Sequence, residues 1–337
     1  MICHLSLVIN TMFDIISIGT ATRDAFMQSP AFAAKNNGTE KLECLPFGGK
    51  VSVEKLVLST GGGATNAAVT FARQGLKTAC VSIIGADGNG REVISELNRE
   101  GVDISLFQMH HDDLTAYSVI LMDPSGERTV LSYKGEGQHF SMQDIPFDKL
   151  KTQWLFLSSV GGHLDLLAGV VKYAMEKQIK IAGNPGAKEL AIGLEKLVPL
   201  LSVYAILSLN REEGAGLTGL PADQPEAIVA ALKAVVPGVV LLTDGHNGTL
   251  VADPTGQLFS AGVPDSPIVE RTGAGDAFVS GFTVEYIRSG DVAKAVQFGT
   301  ANASSVVTQF GAKAGILKKD EWGPWPLVDV EVISQKK

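Results

Sequence analysis

At 337 residues, with 45% hydrophobic and only 19% charged side chains, the chain can bury one large α/β core or two smaller ones, which excludes a disordered protein. A formal net charge of −8 with no Lys/Arg cluster excludes a nucleic-acid surface, though not a nucleotide ligand. No apolar run is long enough to span a bilayer, and Cys3, Cys44 and Cys80 are scattered without metal-ligand spacing, as expected of thiols in a reducing cytoplasm.

Met1 to Ile9 lacks a basic start and a small-residue cleavage site, so residues 1–11 read as a dispensable extension rather than a signal peptide. Residues 13–19 read as a buried first strand, with Asp24 in the loop beyond its end, where open α/β sheets bind ligands. Residues 28–60 and 115–135 interrupt the alternating pattern. Residues 51–58 are strand-like, and residues 116–122 and 128–133 are joined by the turn signal Asp123-Pro-Ser-Gly126. A small sheet projecting from the main body accounts for these pieces, and so does a pair of edge hairpins.

Gly61-Gly62-Gly63-Ala64-Thr65-Asn66 opens a helix that runs through Phe71 to Gly75. The dinucleotide fingerprint fails here because its last glycine is replaced by Asn66, and Gly49-Lys50 lacks the other parts of a Walker A loop. From Trp154 onward, strands at 154–158, 179–182 and 204–208 alternate with helices from Leu164, Lys188 and Arg211. Strands at 239–243, 249–252 and 258–260 follow, then helices from Ala274 and Val292. This spacing predicts a largely parallel sheet with helices on both faces. Asn184-Pro185, Asn210-Arg-Glu-Glu213 and Thr243-Asp-Gly245 with Gly248 mark strand ends, and each alone reads as a turn or cap.

Glu270-Arg-Thr-Gly-Ala-Gly-Asp-Ala-Phe278 passes from a polar segment through two glycines into an apolar helical pattern. Gly273, Ala274 and Gly275 would turn onto a helix N-terminus, whose unpaired N–H groups and dipole attract an anion. Asp276 is then a carboxylate beside an anion site. A helix cap with glycine punctuation fits the same spacing equally well.

The residues are more specific than the spacing. Thr272-Gly-Ala-Gly-Asp-Ala-Phe278 closely resembles the C-terminal signature of the PfkB/ribokinase family of carbohydrate and nucleoside kinases. Gly61, Gly62 and Asn66, continued by Val81-Ser-Ile-Ile-Gly85, Asp87, Gly90 and Gly101-Val-Asp103, resemble its N-terminal pattern. The resemblance runs from about Ile15 to Gly315. It implies a ribokinase-like three-layer sandwich, with a mostly parallel central sheet and a small β-strand lid.

The resemblance also implies an activity: ATP- and Mg2+-dependent phosphorylation of a hydroxymethyl group on a small sugar. A nucleoside acceptor is the alternative. A non-catalytic sugar- or nucleotide-binding protein is a third reading, which the intact Asp276 counts against. Asp276 would be the base, with the amides of Gly273, Ala274 and Gly275 as the anion hole. Asp24, Gly61, Gly62 and Asn66 would hold the substrate. Asn184, Thr243, Gly245, Gly248 and Asn302 would border the nucleotide with Gly273 and Gly275. Asn210 and Glu213 would organise Mg2+ through water.

Where the family motif usually begins Asp-Thr, this chain has Glu270-Arg271, which leaves potassium at Glu270 and Thr272 open. Arg271, next to the anion hole, reads either as a charge for the nucleotide phosphates or as a surface residue. Arg128 and Lys134 are the only basic residues obvious near the lid, which favours a neutral acceptor; Phe26, Phe47, Tyr117 and Tyr133 are candidates for a slot around a base. His110-His111 reads as a solvated loop, and exposed lid edges suggest a homodimer.

Overall fold

The computed structural model describes residues 12–36, 38, 41–123 and 127–333. The expected extension at residues 1–11, with Cys3, and Pro124 to Gly126 of the expected turn lie outside them. Strands β1 (Phe13–Ile18), β2 (Thr22–Gln28), β3 (Lys55–Gly61), β4 (Thr78–Val81), β5 (Tyr117–Met122) and β6 (Arg128–Tyr133) occupy the first part of the chain. With them are helices α1 (Gly63–Arg73) and α2 (Gly88–Arg99). Beyond these come β7 (Thr152–Leu157), α3 (Leu164–Glu176), β8 (Lys180–Gly183), α4 (Ala187–Leu190), α5 (Leu194–Leu201), β9 (Tyr204–Asn210), α6 (Arg211–Thr218) and α7 (Pro225–Lys233). The chain then runs through β10 (Val239–Thr243), β11 (Thr249–Ala252), β12 (Leu258–Ala261), α8 (Ala274–Ser289), α9 (Val292–Val306) and β13 (Val330–Ile333).

The central sheet has nine strands in the order β13-β12-β11-β10-β9-β8-β7-β1-β4. Pairing is parallel from β4 to β10 and antiparallel from β10 to β13. Strand periodicity sends alternate side chains to opposite faces, and the core divides accordingly. Ile16, Ile18, Leu155 and Leu157 pack with α3, α5, α6 and α7. Ile15, Trp154, Phe156 and Ile206 pack with α1, α8 and α9. The result is the expected three-layer α/β sandwich.

The second sheet, in the order β6-β5-β2-β3, is the lid. Its strands are mixed: β2 runs antiparallel to β3 but parallel to β5. Two expectations are corrected here. Asp24 is not in a loop after β1, because the chain re-enters extended structure at Thr22 and Asp24 sits inside β2, opposite Ser59 and Ser118. Residues 51–54 are not strand; only from Lys55 does the backbone pair with β2.

The His110-His111 expectation also changes. His110 ends a short strand, Gln108–His110, and its Nε2 lies 2.9 Å from Asp144 Oδ1. Its Nδ1 is 3.6 Å from buried Glu136, so His110 is tied between two carboxylates rather than solvated.

Candidate active site

The site forms at the C-terminal ends of the parallel strands, where loops leave the sheet and open α/β folds place ligands. Gly273, at the N-cap of α8, has φ +80° and ψ 0°, a left-handed conformation that L side chains resist. A Cβ there would also stand 2.3 Å from the Ala312 Cβ. The turn therefore needs glycine, and it delivers Asp276 into the first turn of α8. Gly275 and Asp276 are among the residues whose N–H groups have no intrahelical acceptor. The Ala274 N–H points to the Arg271 carbonyl at 3.3 Å, so among the expected anion-hole amides this one is engaged within the turn.

The Asp276 carboxylate is held from two sides. The Asn66 carboxamide donates to Oδ2 at 2.9 Å, and the Asn184 carboxamide to Oδ1 at 3.4 Å. Burial pushes the Asp276 carboxyl above its ordinary value; the two amides and the charge of Lys313 act in the opposite direction. The Oδ1 atoms of Asn66 and Asn184 are buried with no partner, and so is the Ser158 hydroxyl. Unpaired buried acceptors beside a carboxylate suit a hydroxylated ligand, because polar groups left unsatisfied there are costly.

Two cavities meet at the start of α8. One is roofed by the lid: Thr22, Asp24, Ser118, Ile120 and Val130 face Gly62, Gly63, Asn66, Thr272, Gly273 and Asp276. Asp24 is 5% exposed, accepts from the Thr22 hydroxyl at 3.0 Å, and is also raised by burial. Gly61 does not line the cavity. It makes room for Asp24 instead, since a Cβ there would lie 2.0 Å from Asp24 Oδ2. The other cavity lies between α8, α9 and β10, lined by Thr243, Gly245, Gly248, Ala274, Gly275, Phe278, Thr300, Ala303 and Ser304.

Asn302 is corrected. It is fully buried, its carboxamide donates to the Ala277 carbonyl and accepts from the Leu317 N–H, and so it serves helix packing. Its neighbours Thr300, Ala303 and Ser304 carry the cavity wall. Asn210 and Glu213 form a capping box on α6: Asn210 Oδ1 accepts from the Glu213 N–H at 2.8 Å and Glu213 Oε2 from the Asn210 N–H at 2.9 Å. Asn210 is thereby committed to the cap. Burial raises the Glu213 carboxyl, the Asn210 N–H bond lowers it, and the nearby Asp276 charge adds to the rise.

Glu270 is buried, accepts from the Thr272 N–H at 2.5 Å, and lies 3.7 Å from Arg128 Nε. Its Oε2 and the Thr272 hydroxyl are buried without partners. Arg271 is exposed and pairs with Glu127 at 3.6 Å. Among the described residues lining the lid cavity none of the candidate aromatics appears: Phe26 is buried edge-on against Phe310, Phe47 is fully exposed, and the exposed Tyr133 bonds Asp113. The apolar lining there comes from Ile120 and Val130.

A buried lysine beside the site escaped the sequence reading. Lys313 is 1% exposed, and its signal was a single lysine within the small-residue run Gly311-Ala-Lys-Ala-Gly315.

An α/β sandwich with a strand lid and a carboxylate at a glycine-turned helix start defines a small-molecule phosphotransferase fold. The pfkB family carbohydrate kinase profile matches residues 12–319, and the chain belongs to that family. It is a kinase with an alcohol group as acceptor. Over 305 residues it is 24% identical to a nucleoside kinase of Methanothermobacter thermautotrophicus, covering 90% of this chain and 92% of that protein. It is 26% identical to a ribokinase of Haemophilus influenzae over 272 residues, covering 78% and 86%. Its fold matches the ribokinase of Arabidopsis thaliana, solved with ribose and ATP, at a TM-score of 0.74 and 20% identity over 91% of this chain and 96% of that one. Among the described residues, no helix is long and apolar enough to cross a membrane.

Proposed function

We propose that the chain transfers the γ-phosphoryl group of ATP to the hydroxymethyl group of a small neutral sugar. The observation that carries this reading is the Asp276 carboxylate, gripped by Asn66 and Asn184 where the lid cavity meets the cavity between α8 and α9. Asp276 takes the proton of the acceptor hydroxyl as its oxygen bonds to phosphorus and the bond to the ADP oxygen breaks. The N–H groups of Gly275 and Asp276 meet the charge on the moving phosphoryl group. Closure of the lid excludes water, which would otherwise compete as acceptor.

Neutrality of the acceptor follows from the lining. Its charged groups are Asp24 and Asp276, both acidic, and Arg128 is engaged by Glu270. The absence of aromatic lining favours a sugar over a nucleoside. A nucleoside acceptor is the second reading, favoured by the archaeal relative that matches 90% of the chain.

Thr243, Gly245, Gly248, Thr300 and Ser304 border the nucleotide. Mg2+ neutralises phosphate charge when bound. Glu213 would hold it through water, as suits a cation that keeps most of its waters. The orphaned oxygens of Glu270 and Thr272 are the donors that would hold a potassium ion, with the Arg128 guanidinium as a competing cation 3.7 Å from Glu270. Free thiols at Cys44 and Cys80 fit a reducing cytoplasm. Residues 12–337 are read as one kinase domain, a reading supported by β13, which completes the central sheet beyond the end of the family match.

The test is Mg2+-dependent ADP production from ATP across pentoses, hexoses, sugar acids and nucleosides, with Asp276→Asn alongside. A sugar-dependent signal that vanishes in the variant is expected. A signal only with nucleosides would move the reading to the second acceptor class. Ligand-induced thermal shifts with no ADP from any acceptor would leave a binding protein.

A further inference from the structure

Lys313 is the most deeply buried cation near the site, and the reaction outlined above gives it no task. Its ammonium donates to the Thr60 hydroxyl at 2.6 Å and lies 3.7 Å from Glu96 on α2; the Thr60 hydroxyl in turn donates to that same Glu96 carboxylate. Burial pulls the Lys313 ammonium below its ordinary value. The charges of Glu96, Asp24 and Asp276 pull it back up. A lysine kept in such a place costs stability unless its charge is used.

Its position shows the use. Thr60 stands at the end of β3 between Ser59, which pairs with Asp24, and Gly61, which abuts the Asp24 carboxylate. Strand alternation turns Ser59 and Gly61 toward Asp24 and Thr60 to the other face, toward α2. The segment carrying Lys313 touches everything that must stay in register. A Cβ on Gly311 would stand 2.7 Å from the Ser59 hydroxyl, and Ala312 packs under Gly273 at the α8 turn. Arg73 of α1 fixes the segment from behind by donating to the carbonyls of Lys313 at 2.9 Å and Ile316 at 2.8 Å.

We propose that Lys313 is a positioning residue: through Thr60 and Glu96 it pins the hinge end of lid strand β3, and so sets the acceptor-holding Asp24 relative to the α8 turn. Acceptor binding depends on this tie, whereas nucleotide binding does not, because the nucleotide cavity lies on the other side of α8 between α9 and β10.

The proposal rests on the kinase reading, and the experiment separates the two. Lys313→Met keeps the length of the side chain without its charge. Thr60→Val removes only the hydroxyl that Lys313 and Glu96 share. Both are compared with wild type in KM for the acceptor, in KM for ATP, and in amide hydrogen exchange measured by mass spectrometry. The expected result is an acceptor KM raised tenfold or more with ATP KM within twofold. Exchange is also expected to quicken in peptides spanning β2 and β3 but not α8. Unchanged KM values and exchange in Thr60→Val, or equal losses in both KM values with faster exchange throughout, overturn the proposal. If Lys313→Met does not fold, Thr60→Val carries the same comparison alone. If no acceptor is phosphorylated by wild type, the kinase reading fails, and the exchange pattern still decides for or against the tie.

Discussion

Replacing Asp276 by Asn separates its chemistry from its structure. Loss of the base should lower kcat by ~10²–10⁴-fold, the usual contribution of general base catalysis. Stability should respond differently. A carboxyl whose folded pKa is raised adds stability below its unfolded pKa and loses it as pH rises through the folded one. Burial raises Asp276 in this way, so the Tm of Asp276→Asn minus that of wild type should grow from pH ~4 to neutrality. A Tm gap that shrinks over that range would refute the burial argument. Asn66→Ala removes an N–H bond to the charged form, which raises the Asp276 carboxyl further. Its acid limb of kcat/KM should move to higher pH, because a bond that favours the charged form is gone. Asp276, Asn66 and Asn184 were singled out by the resemblance, since alone each reads as a turn or cap, and the structure brings the three together. Their mutual hydrogen bonds were not legible, since 210 positions separate Asn66 from Asp276. Asn302 misled for a related reason: a carboxamide flanked by small residues looks the same whether it meets a ligand or a neighbouring helix.

At the start of α8, Gly273 and Gly275 make a sharp comparison, since a Cβ is blocked at the first and free at the second. Gly273→Ala forces a left-handed φ on alanine and drives its Cβ into Ala312. It should lose about 1–3 kcal/mol through backbone strain alone, visible as a lowered Tm together with lost activity. A Cβ on Gly275 meets nothing within 4 Å, and the position is already helical. Gly275→Ala should fold at least as well, gaining up to ~1 kcal/mol of helix propensity. Its methyl group would nevertheless enter the phosphate side of the nucleotide cavity, so KM for ATP should rise severalfold while the acceptor KM holds. Equal damage from both substitutions would mean that the turn is a cap and no more. Helix starts at Leu164, Arg211, Ala274 and Val292 were readable because caps and apolar periodicity are local. The entry of β2 at Thr22 was not, because its partners β3 and β5 lie far along the chain and supply the hydrogen bonds that make it a strand.

On the scale of the whole molecule, the alternation of strands and helices after Trp154 specified the parallel layers, since a parallel ladder needs a crossover and a helix supplies it. The lid carries no such regularity. Its sheet is assembled from pieces on either side of α1 and α2, and which face looks outward follows only from the register. That register aligns Leu131, Val119, Ala25 and Leu58 across the lid, on the face opposite Asp24 and Ile120. Leu58 and Leu131 are 52% and 54% exposed, and Leu56 on the same face is 57% exposed. Scattered exposed leucines are ordinary, but a row on one sheet face is a surface that water disfavours and a second copy would cover. Two lids meeting through this face would bury the row without blocking either acceptor cavity, which opens on the other side of the sheet. Sedimentation of the wild-type chain should therefore show a dimer. Leu58→Lys with Leu131→Lys should shift it to monomer, because two charges per copy would be forced together at the interface. Neither leucine lines the acceptor cavity, so the monomer should retain turnover. A wild-type monomer, or a double variant that stays dimeric, would show that the lid does not join two copies.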